Sequence, residues 1–494
     1  MYIIGIDIGT SATKTAVYDL DGVTVAESTQ AYPLSQPQNG WAEQNPTDWW
    51  EAVCATLRDV TSKIDPAAVV GVGFSGQMHG LVMLDENNQV IRPAIIWCDS
   101  RTGEECAEIN EIIGIDTLMD ITASPALTGF TASKIRWVQK HEPENYAKCR
   151  HILLPKDYIR FMLSGEYHTD ASDASGMQLL DISTRQWSPL ICEKLGVDMS
   201  LLAEVRESPE AVSKVSAKAA ELTGLKEGTI LAAGAGDNAA AAVGTGVVEE
   251  GKAFTTIGTS GVVFAHVRTP AVDPKGRIHT FCAAVPGEYH TMGVTQAAGL
   301  SLQWFRKNFA PTTSYADLDK MAEALPIGAD RLIYLPYLMG ERTPHLNPDC
   351  RGVFFGLSAM HTNAHLYRAV LEGVAYSLND AYQLVAQTGT PISNMAVCGG
   401  GAKSPMWRQM IADVYGIPLI DMSQGGGASL GAAILGGVAG GAYPDVQTAC
   451  ARVIKGSTVT FPHAQRHNAY VPYMALYRDL YTSLADNYKK LSVL

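Results

Sequence analysis

Two aspartates occupy positions where a carboxylate is costly to bury unless it has a partner. Asp7 follows the apolar run 2–6, and Asp237 follows the small-residue run 231–236. A carboxylate in an apolar strand needs a cation or a donor, and the Mg²⁺ carried by a nucleotide is a natural partner. Asp237 precedes the helix-forming run 239–243, a placement that suits a general base taking a proton from a hydroxyl group. The alternatives are a structural Asp7 bonded to its own turn and an Asp237 that is simply a helix N-cap.

The tetrapeptide Ile-Gly-Thr-Ser occurs twice, at 8–11 and at 257–260. β-Branched residues precede each copy and alternating apolar residues follow it, so each copy predicts a strand, a tight glycine turn and a second strand. Backbone N–H groups at such a tip can bind phosphate oxygens, and two tips could hold a polyphosphate between two lobes. Thr10, Ser11 and Lys14, close to Asp7, favour a phosphate and metal site. The alternative is that these are two ordinary β-turns, which share four common residues by chance.

Several hydrogen-bonding side chains follow the buried strand predicted at 67–74. The segment 75–80 reads Ser-Gly-Gln-Met-His-Gly, and Trp97, Asp99 and Arg101 follow the next strand, at 94–97. A polyol needs such a cluster, because each buried hydroxyl left unpaired costs about 1–3 kcal/mol. The alternatives are a histidine that merely satisfies a turn, a core tryptophan and a structural Asp–Arg ion pair.

A third glycine-rich turn lies at 399–401, after the predicted strand 395–398. Glycines after a strand let a flat ring lie against the backbone, and Ser404 precedes Pro405 at a helix start whose N–H groups can face a ligand. A flexible strand-to-helix turn is the alternative.

Composition limits the class of protein and its partners. The chain has 494 residues, of which 47% are hydrophobic and 18% charged, so it is long enough for two large domains. A formal net charge of -13 argues against nucleic acid or an anionic membrane as a partner. Nine cysteines without a metal-binding spacing, and a start that enters a strand at once, predict a cytoplasmic protein with reduced thiols.

The two halves of the chain repeat one plan. The first half predicts strands at 2–6, 15–18 and 23–26, a helix capped by Asn45 and another strand, an order that indicates a mixed sheet rather than a doubly wound one. The second half predicts a strand pair at 254–257 and 261–265, a long helix at 365–385 and another strand. We therefore expect a duplicated α/β domain, with mixed sheets flanked by helices and a division into residues 1–246 and 247–494.

The chain resembles the FGGY carbohydrate kinases along its whole length. Segments 129–141 and 352–357, with 365–366 and 369–373 at the expected spacing, look like the two family signatures. The resemblance implies two ribonuclease H-like domains, as in actin and hexokinase, and an interdomain active-site cleft. The segments 40–44, 76–80, 154–158 and 340–345 are most similar to the members that phosphorylate D-xylulose, and gluconate-phosphorylating members are near.

Carried over to this sequence, the resemblance assigns a role to each candidate residue. It implies that Asp237 is the catalytic base and that Asp7 is the carboxylate near Mg²⁺ and the phosphates. The remaining contacts that it implies are Met78, His79, Trp97, Asp237 and Asn238 for the sugar, Thr10, Ser11, Lys14, Gly258 and Thr259 for the phosphates, and Gly400, Gly401 and Ser404 for adenosine.

The expected activity is ATP-dependent phosphorylation of a ketopentose, D-xylulose, on its 5-hydroxyl. Related acceptors are ribulose, gluconate and deoxyketoses. An actin-like nucleotide switch and a degenerate scaffold are the alternatives from other classes. The sugar segment, residues 76–80, together with Asp237 argues against the switch, and the intact Asp7, Asp237 and both glycine turns argue against the scaffold. The resemblance also makes a homodimer plausible.

Overall fold

Two seven-stranded mixed sheets form the centre of the molecule. A computed structural model describes residues 1–422, 425, 427–455 and 458–494. In spatial order, the first sheet contains Ala211–Lys214, Ile230–Ala232, Val69–Gly76, Tyr2–Ile8, Ala12–Asp19 and Thr24–Ala31, with Ala235–Gly236 also beside Val69–Gly76. The second contains His279–Cys282, Tyr289–Thr295, Gly261–Val267, Lys252–Ile257, Asn394–Cys398, Leu419–Asp421 and Val459–Thr460.

The central strands of the two sheets are connected in the same way. Tyr2–Ile8 pairs antiparallel with Ala12–Asp19 and parallel with Val69–Gly76. Lys252–Ile257 likewise pairs antiparallel with its hairpin partner, Gly261–Val267, and parallel with Asn394–Cys398. This confirms the predicted duplication and the mixed sheets. The ribonuclease H-like class follows from the shared order of three antiparallel strands, a helix and a parallel strand.

Local chemistry explains where the main helices start. Asn45 caps the helix Pro46–Thr61 by accepting a hydrogen bond from the Thr47 N–H group, with proline at the first position as predicted. The α-helices are Pro46–Thr61, Gly103–Ile113, Ile115–Thr122, Thr131–His141, Pro143–Lys148, Pro155–Ser164, Ala171–Ala174, Pro189–Leu195, Ala217–Thr223, Asp237–Gly244, Gly299–Phe309, Tyr315–Glu323, Asn363–Gln387, Pro405–Tyr415, Gly427–Ala439, Val446–Val453 and Ala464–Leu491. Short 3₁₀ turns lie at Pro66–Ala68, Ser175–Met177, Met199–Leu201 and Gly401–Lys403.

Five two-stranded ribbons lie outside the main sheets. They pair Glu43–Gln44 with Ala94–Ile95, Val82–Leu84 with His151–Leu153, His168–Asp170 with Glu204–Arg206, Leu180–Asp181 with Gln186–Trp187, and Ile333–Leu335 with Val353–Phe355.

Several predicted strands differ from the observed ones in their bounds, and two of these differences have a clear local cause. The strand expected at 67–74 begins at Val69, because Asp65 caps a short turn that takes up Ala67 and Ala68. The strand expected at 94–97 covers only Ala94–Ile95, since the chain then turns toward the site. Both errors concern strand ends, where turn chemistry overrides the apolar pattern.

A helix from the second half packs on the first sheet. We call Gly427–Ala439 the crossing helix. A Cβ atom on Gly5 would lie 1.8 Å from the Ser429 carbonyl oxygen, and one on Gly73 would lie 1.9 Å from that of Ala432. Only glycine allows this approach of sheet and helix backbones. We propose that residues 1–246 and 247–494 are the two domains, with the crossing helix joining them.

Two further features are the state of the cysteines and the hydropathy of the helices. All nine cysteines are free thiols. Among helices in the described ranges, none has the length and hydropathy needed to cross a bilayer.

Candidate active site

Strand pairing brings the two predicted carboxylates to one edge of the first sheet. Asp7 lies opposite Ser75, and Ser75 lies opposite Ala235, so these residues form one row across three parallel strands. Asp237 follows two residues after Ala235, at the first position of the helix Asp237–Gly244. Because the carboxyl ends of parallel strands meet at one edge, both carboxylates face the same space.

Asp237 is not the N-cap of its helix, so the capping alternative is wrong. Gly236 occupies that position, and the Asp237 carboxylate accepts a hydrogen bond of 2.9 Å from the Asn238 side chain. Burial and then the negative charge of Asp7 raise the pKa of Asp237 to about 7, against hydrogen bonds from Asn238 that lower it. A base with a pKa near neutrality is well matched to proton transfer at physiological pH.

Asp7 has a hydrogen-bond donor on one oxygen. The Ser75 hydroxyl donates to Asp7 Oδ1 over 2.8 Å. Burial raises the pKa of Asp7, and the Ser75 bond and the charge of Lys14 oppose that rise. Lys14 itself forms a 2.8 Å ion pair with Glu27 on the neighbouring strand.

The sugar segment, residues 76–80, packs directly beside Asp237. A Cβ atom on Gly236 would lie 2.9 Å from Met78 Cγ, so Met78 contacts the backbone that precedes the base. His79 adopts a left-handed backbone conformation, with φ of 68°, which is unusual for a residue other than glycine. The Met78 side chain is 4% exposed and that of His79 is 7% exposed. The turn therefore aims both side chains into the protein.

The protonation state of His79 determines which ring nitrogen donates a hydrogen bond and which one accepts. Burial, aided by the charge of Lys134, holds the pKa of His79 well below its usual range, so the ring is neutral. Nδ1 lies 2.9 Å from the Gly176 carbonyl oxygen, which can only accept, so Nδ1 carries the proton. Nε2 is then an acceptor for a hydroxyl group.

Trp97 connects the sugar segment's wall to the first hairpin tip. Its Nε1 donates to Thr10 Oγ1 over 2.9 Å, and the Gln44 side chain donates to the Thr10 carbonyl oxygen over 2.7 Å. Thr10 and Ser11 form the tip itself, closed by a 3.0 Å bond from Gly9 N to Ala12 O. Trp97 is only half-buried and is therefore not a core residue.

Asp99 and Arg101, in contrast, are structural. Arg101 binds Asp99 at 2.7 Å and Glu43 at 2.8 Å, and its guanidinium stacks 3.6 Å above Trp41. The ion-pair alternative is therefore confirmed for this pair.

The second sheet carries a cavity of about 600 Å³ where the adenosine contacts are expected. Gly258, Thr259, Gly400, Gly401 and Ser404 all line it. Ser404 also caps the helix Pro405–Tyr415 by accepting a 3.1 Å bond from Trp407 N, so its hydroxyl already has a structural role. The structure thus places the second hairpin tip and the glycine turn in one cavity.

Several cavity residues were not found from the sequence. Among them, Leu302, Gln303, Tyr315 and Asp319 lie on the helices Gly299–Phe309 and Tyr315–Glu323. No local pattern marks them, because they meet the glycine turn only through tertiary packing. Ser75, which lies within the predicted polar segment, could have been paired with Asp7 from the expected strand register.

A buried ionic cluster lies close to the start of the helix that begins with Asp237. We define it as Lys156, Asp157, Arg160, Asp170 and Asp173, all at most 1% exposed. Lys156 Nζ lies 2.6, 2.7 and 3.4 Å from Asp157, Asp170 and Asp173, and Arg160 lies 3.0 Å from Asp157. Burial raises the pKa of Asp173 well above its usual range. A protonated Asp173 leaves two cations facing two carboxylates.

Ser172 connects the cluster to Gly236. The Ser172 hydroxyl donates to Asp170 over 2.5 Å and accepts a 3.2 Å bond from the Gly236 N–H group. Gly236 is the residue before Asp237, so these bonds hold the start of the helix Asp237–Gly244 against the cluster.

The substitution Asp237→Asn should increase the free energy of unfolding relative to wild type, and this increase should grow as the pH rises. The folded-state pKa of about 7 exceeds the ordinary value of 3.8, so between these values the folded state holds a proton that the unfolded state has lost. Wild-type stability therefore falls as pH increases through this window. We expect the variant's advantage in urea unfolding to grow by about 2–3 kcal/mol from pH 5 to pH 8. A pH-independent difference, equal to that of the surface variant Asp120→Asn, would contradict the raised pKa.

Comparison with known proteins identifies the class of protein. Residues 2–244 match the N-terminal domain of the FGGY family of carbohydrate kinases, and residues 253–440 match its C-terminal domain. The chain belongs to the FGGY family of carbohydrate kinases, and it is an ATP-dependent carbohydrate kinase.

Within this family, the chain is similar to named xylulose kinases and to a gluconate kinase. The chain is 40% identical over 487 residues to the xylulose kinase of Bacillus subtilis, covering 98% of this chain and 97% of the relative. It is similar in structure to a ligand-bound xylulose kinase from Lactobacillus acidophilus, with a TM-score of 0.94 at 27% identity and 99% coverage of both chains. A gluconate kinase from the same organism matches with a TM-score of 0.94 at 28% identity, again covering 99% of both chains.

Proposed function

We propose that the protein transfers the γ-phosphoryl group of ATP to the 5-hydroxyl of D-xylulose, with Asp237 as the general base. The observation that carries the proposal is the position of Asp237. Its carboxylate begins a helix beside the sugar segment and shares the sheet edge with Asp7 and the first hairpin tip. The named xylulose kinase relatives support the choice of sugar.

The sugar would lie between the sugar segment and the base. The neutral His79 ring offers an acceptor to one hydroxyl, Met78 provides an apolar contact, and the half-buried Trp97 provides a ring face. Asn238, which holds the Asp237 carboxylate, would donate to a further sugar oxygen with its second amide hydrogen. A ketopentose with several hydroxyl groups satisfies these partners better than a purely apolar ligand would.

Asp237 would accept the hydroxyl proton as the oxygen attacks the γ-phosphorus. Because the transition state for phosphoryl transfer is loose, the base helps mainly as the new bond forms. Positioning and neutralisation of the phosphate charge supply more of the rate, and the hairpin tips at Thr10–Ser11 and Gly258–Thr259 would provide backbone donors for this purpose. In this arrangement the ATP phosphates lie between the two sheets.

The residues present fit a metal that arrives with the nucleotide. Within the described part of the chain, no group of three or more His, Cys, Asp or Glu side chains could hold an ion alone. Mg²⁺ commonly takes one or two carboxylates together with substrate phosphates, and Asp7, whose Oδ1 already accepts from Ser75, would be the carboxylate here. When bound, Mg²⁺ would neutralise charge on the transferring phosphoryl group.

The test is acceptor-dependent ADP release. Wild-type protein is assayed with Mg²⁺-ATP against D-xylulose, D-ribulose, L-ribulose, gluconate, glycerol and water alone. The proposal expects the highest kcat/KM with D-xylulose. A higher value for gluconate or a ribulose would reject the sugar assignment and leave the kinase class intact. ADP release that no acceptor stimulates would favour a nucleotide switch.

Gly400→Leu should weaken ATP binding selectively. Gly400 has an ordinary helical backbone conformation, lines the cavity of the second sheet and has no atom within 4 Å of an added Cβ. A leucine side chain therefore fits the fold but occupies ligand space. We expect KM for ATP to rise about tenfold or more, equivalent to about 1.4 kcal/mol, and KM for the sugar to stay within twofold.

The control is Gly103→Leu, which places the same side chain in open space on the surface. Gly401→Ala provides a contrast, because its Cβ would lie 2.5 Å from both Ile257 Cγ2 and Trp407 Cζ3 and should therefore reduce stability. An unchanged KM for ATP in Gly400→Leu would place the adenosine elsewhere.

We also propose that the enzyme acts in the cytoplasm, where ATP is available and its nine free thiols stay reduced. The homodimer remains a prediction, which light scattering on the purified protein would test.

A further inference from the structure

Arg342, a cationic residue of the second half of the chain, lies beside the proposed sugar site. A Cβ atom on Gly129 would lie 3.0 Å from Arg342 Nη2 and 3.1 Å from the Trp97 carbonyl oxygen. Gly129 and Trp97 belong to the first half of the chain, whereas Arg342 follows the second sheet's hairpin strands. The guanidinium group therefore crosses from one half to the other.

The backbone on both sides of Arg342 is firmly held. The Glu341 carboxylate accepts bonds of 2.5 Å from the Thr295 hydroxyl and 2.8 Å from the Arg342 N–H group. The Thr343 hydroxyl accepts a 3.0 Å bond from Val294 N. These bonds attach the segment to the strand Tyr289–Thr295, so Arg342 projects from a fixed point.

The guanidinium group itself has no acceptor in the protein. Within the ranges that the structure describes, the hydrogen bonds of Arg342 involve its backbone and none involves its side chain. The neighbouring Glu341 is turned toward Thr295, and Lys134, the nearby cation, already donates to the carbonyl oxygens of His79 and Gly129 at 2.8 Å. Burial lowers the pKa of Arg342. The half-buried guanidinium group therefore has donors that a ligand oxygen could accept from in place of water.

Arg342 lies at the His79 end of the site. Its charge contributes to lowering the pKa values of His79, His279 and Lys134. The pKa of Asp7 responds to its own burial, Ser75 and Lys14, and the pKa of Asp237 responds to its own burial, Asp7 and Asn238. The contacts also place Arg342 near His79, because Lys134 Nζ donates to the carbonyl oxygens of both His79 and Gly129, the residue that faces Arg342 Nη2.

We propose that Arg342 is a substrate-binding residue that the second half supplies, and that its guanidinium donates to an oxygen of the sugar at the end remote from the phosphorylated hydroxyl. The inference rests on the proposed function, because Asp237 marks that hydroxyl. A sugar held by both His79 and Arg342 connects the two halves across the cleft. The same donors would bind the carboxylate of an aldonate such as gluconate.

The test compares Arg342→Met and Arg342→Lys with the control Arg351→Met. Arg351 lies in the same region, is exposed and donates only to backbone carbonyl oxygens. For Arg342→Met, we expect KM for the sugar that wild type prefers to rise about 10- to 100-fold. KM for the sugar in Arg342→Lys should lie between the values for wild type and Arg342→Met, because lysine keeps the positive charge but lacks the planar set of guanidinium donors. KM for ATP should stay within twofold.

Calorimetric titration with D-xylulose and with gluconate separates this inference from the proposed function. Sugar binding that weakens in Arg342→Met and not in Arg351→Met supports the inference, even if turnover assigns a different acceptor. A change below threefold, an equal rise in KM for ATP, or no sugar binding to wild type would overturn it.

Discussion

Asp237→Asn is expected to reduce sugar-dependent turnover by about 10²- to 10⁴-fold, the usual contribution of a general base. Asparagine keeps the shape of the side chain and can still bond to Asn238, so the helix and the sugar segment should stay in place. The lost function is proton acceptance alone. The measurement is kcat with saturating D-xylulose and Mg²⁺-ATP, together with KM for ATP.

The control for this variant is Asp120→Asn, which makes the same chemical change at an exposed position in the helix Ile115–Thr122. KM for ATP should stay within twofold in both variants. A loss smaller than tenfold would mean that proton removal is not limiting or that another group performs it. A parallel loss of ATP binding would indicate that Asp237 acts on the nucleotide rather than on the sugar.

Local chemistry in the sequence was sufficient to predict the central elements. The hairpin tips at 8–11 and 257–260, the cap at Asn45 and the Ser404-Pro405 helix start each depend on a few adjacent residues. Their physics is short-range, because a turn or cap is stabilised mainly by its own side chains and glycines. The repeat of such local signals in both halves was enough to predict the duplicated fold.

Contacts between distant segments could not be predicted in this way. Arg342 and Gly129 are separated by more than two hundred positions, and nothing near either residue indicates that they meet. The crossing helix is a similar case, since its composition predicts an apolar helix and not which sheet it covers. Lys14 is a further case, because the sequence predicted it as a phosphate contact but did not predict its ion pair with Glu27 on the neighbouring strand.

The ionic cluster was also beyond local prediction, although residues 154–158 contributed to the family resemblance. Its lysine and aspartates lie on three separate elements: Pro155–Ser164, His168–Asp170 and Ala171–Ala174. A charged residue on a helix usually indicates a solvated face. Here burial is complete, and the charges are tolerated because they compensate one another.

Lys156→Met is therefore expected to destabilise the protein by about 3–5 kcal/mol, because it leaves buried carboxylates without their shared cation. Methionine keeps most of the side-chain volume, so the loss reflects charge rather than a cavity. Without the lysine, the pKa of Asp173, which burial already raises, should rise further. The folded state then holds protons that the unfolded state has lost, so stability falls as pH increases. Urea unfolding should show a larger defect at pH 8 than at pH 5.5.

Two further variants keep this prediction falsifiable if Lys156→Met folds poorly. Lys148→Met removes an exposed lysine from the helix Pro143–Lys148 and should change stability by less than about 0.5 kcal/mol. The double variant Lys156→Met/Asp170→Asn removes one carboxylate along with the cation and should recover part of the loss, because Arg160 then faces fewer negative charges. A small defect that does not depend on pH, with no recovery in the double variant, would show that the cluster is held by packing rather than by charge compensation.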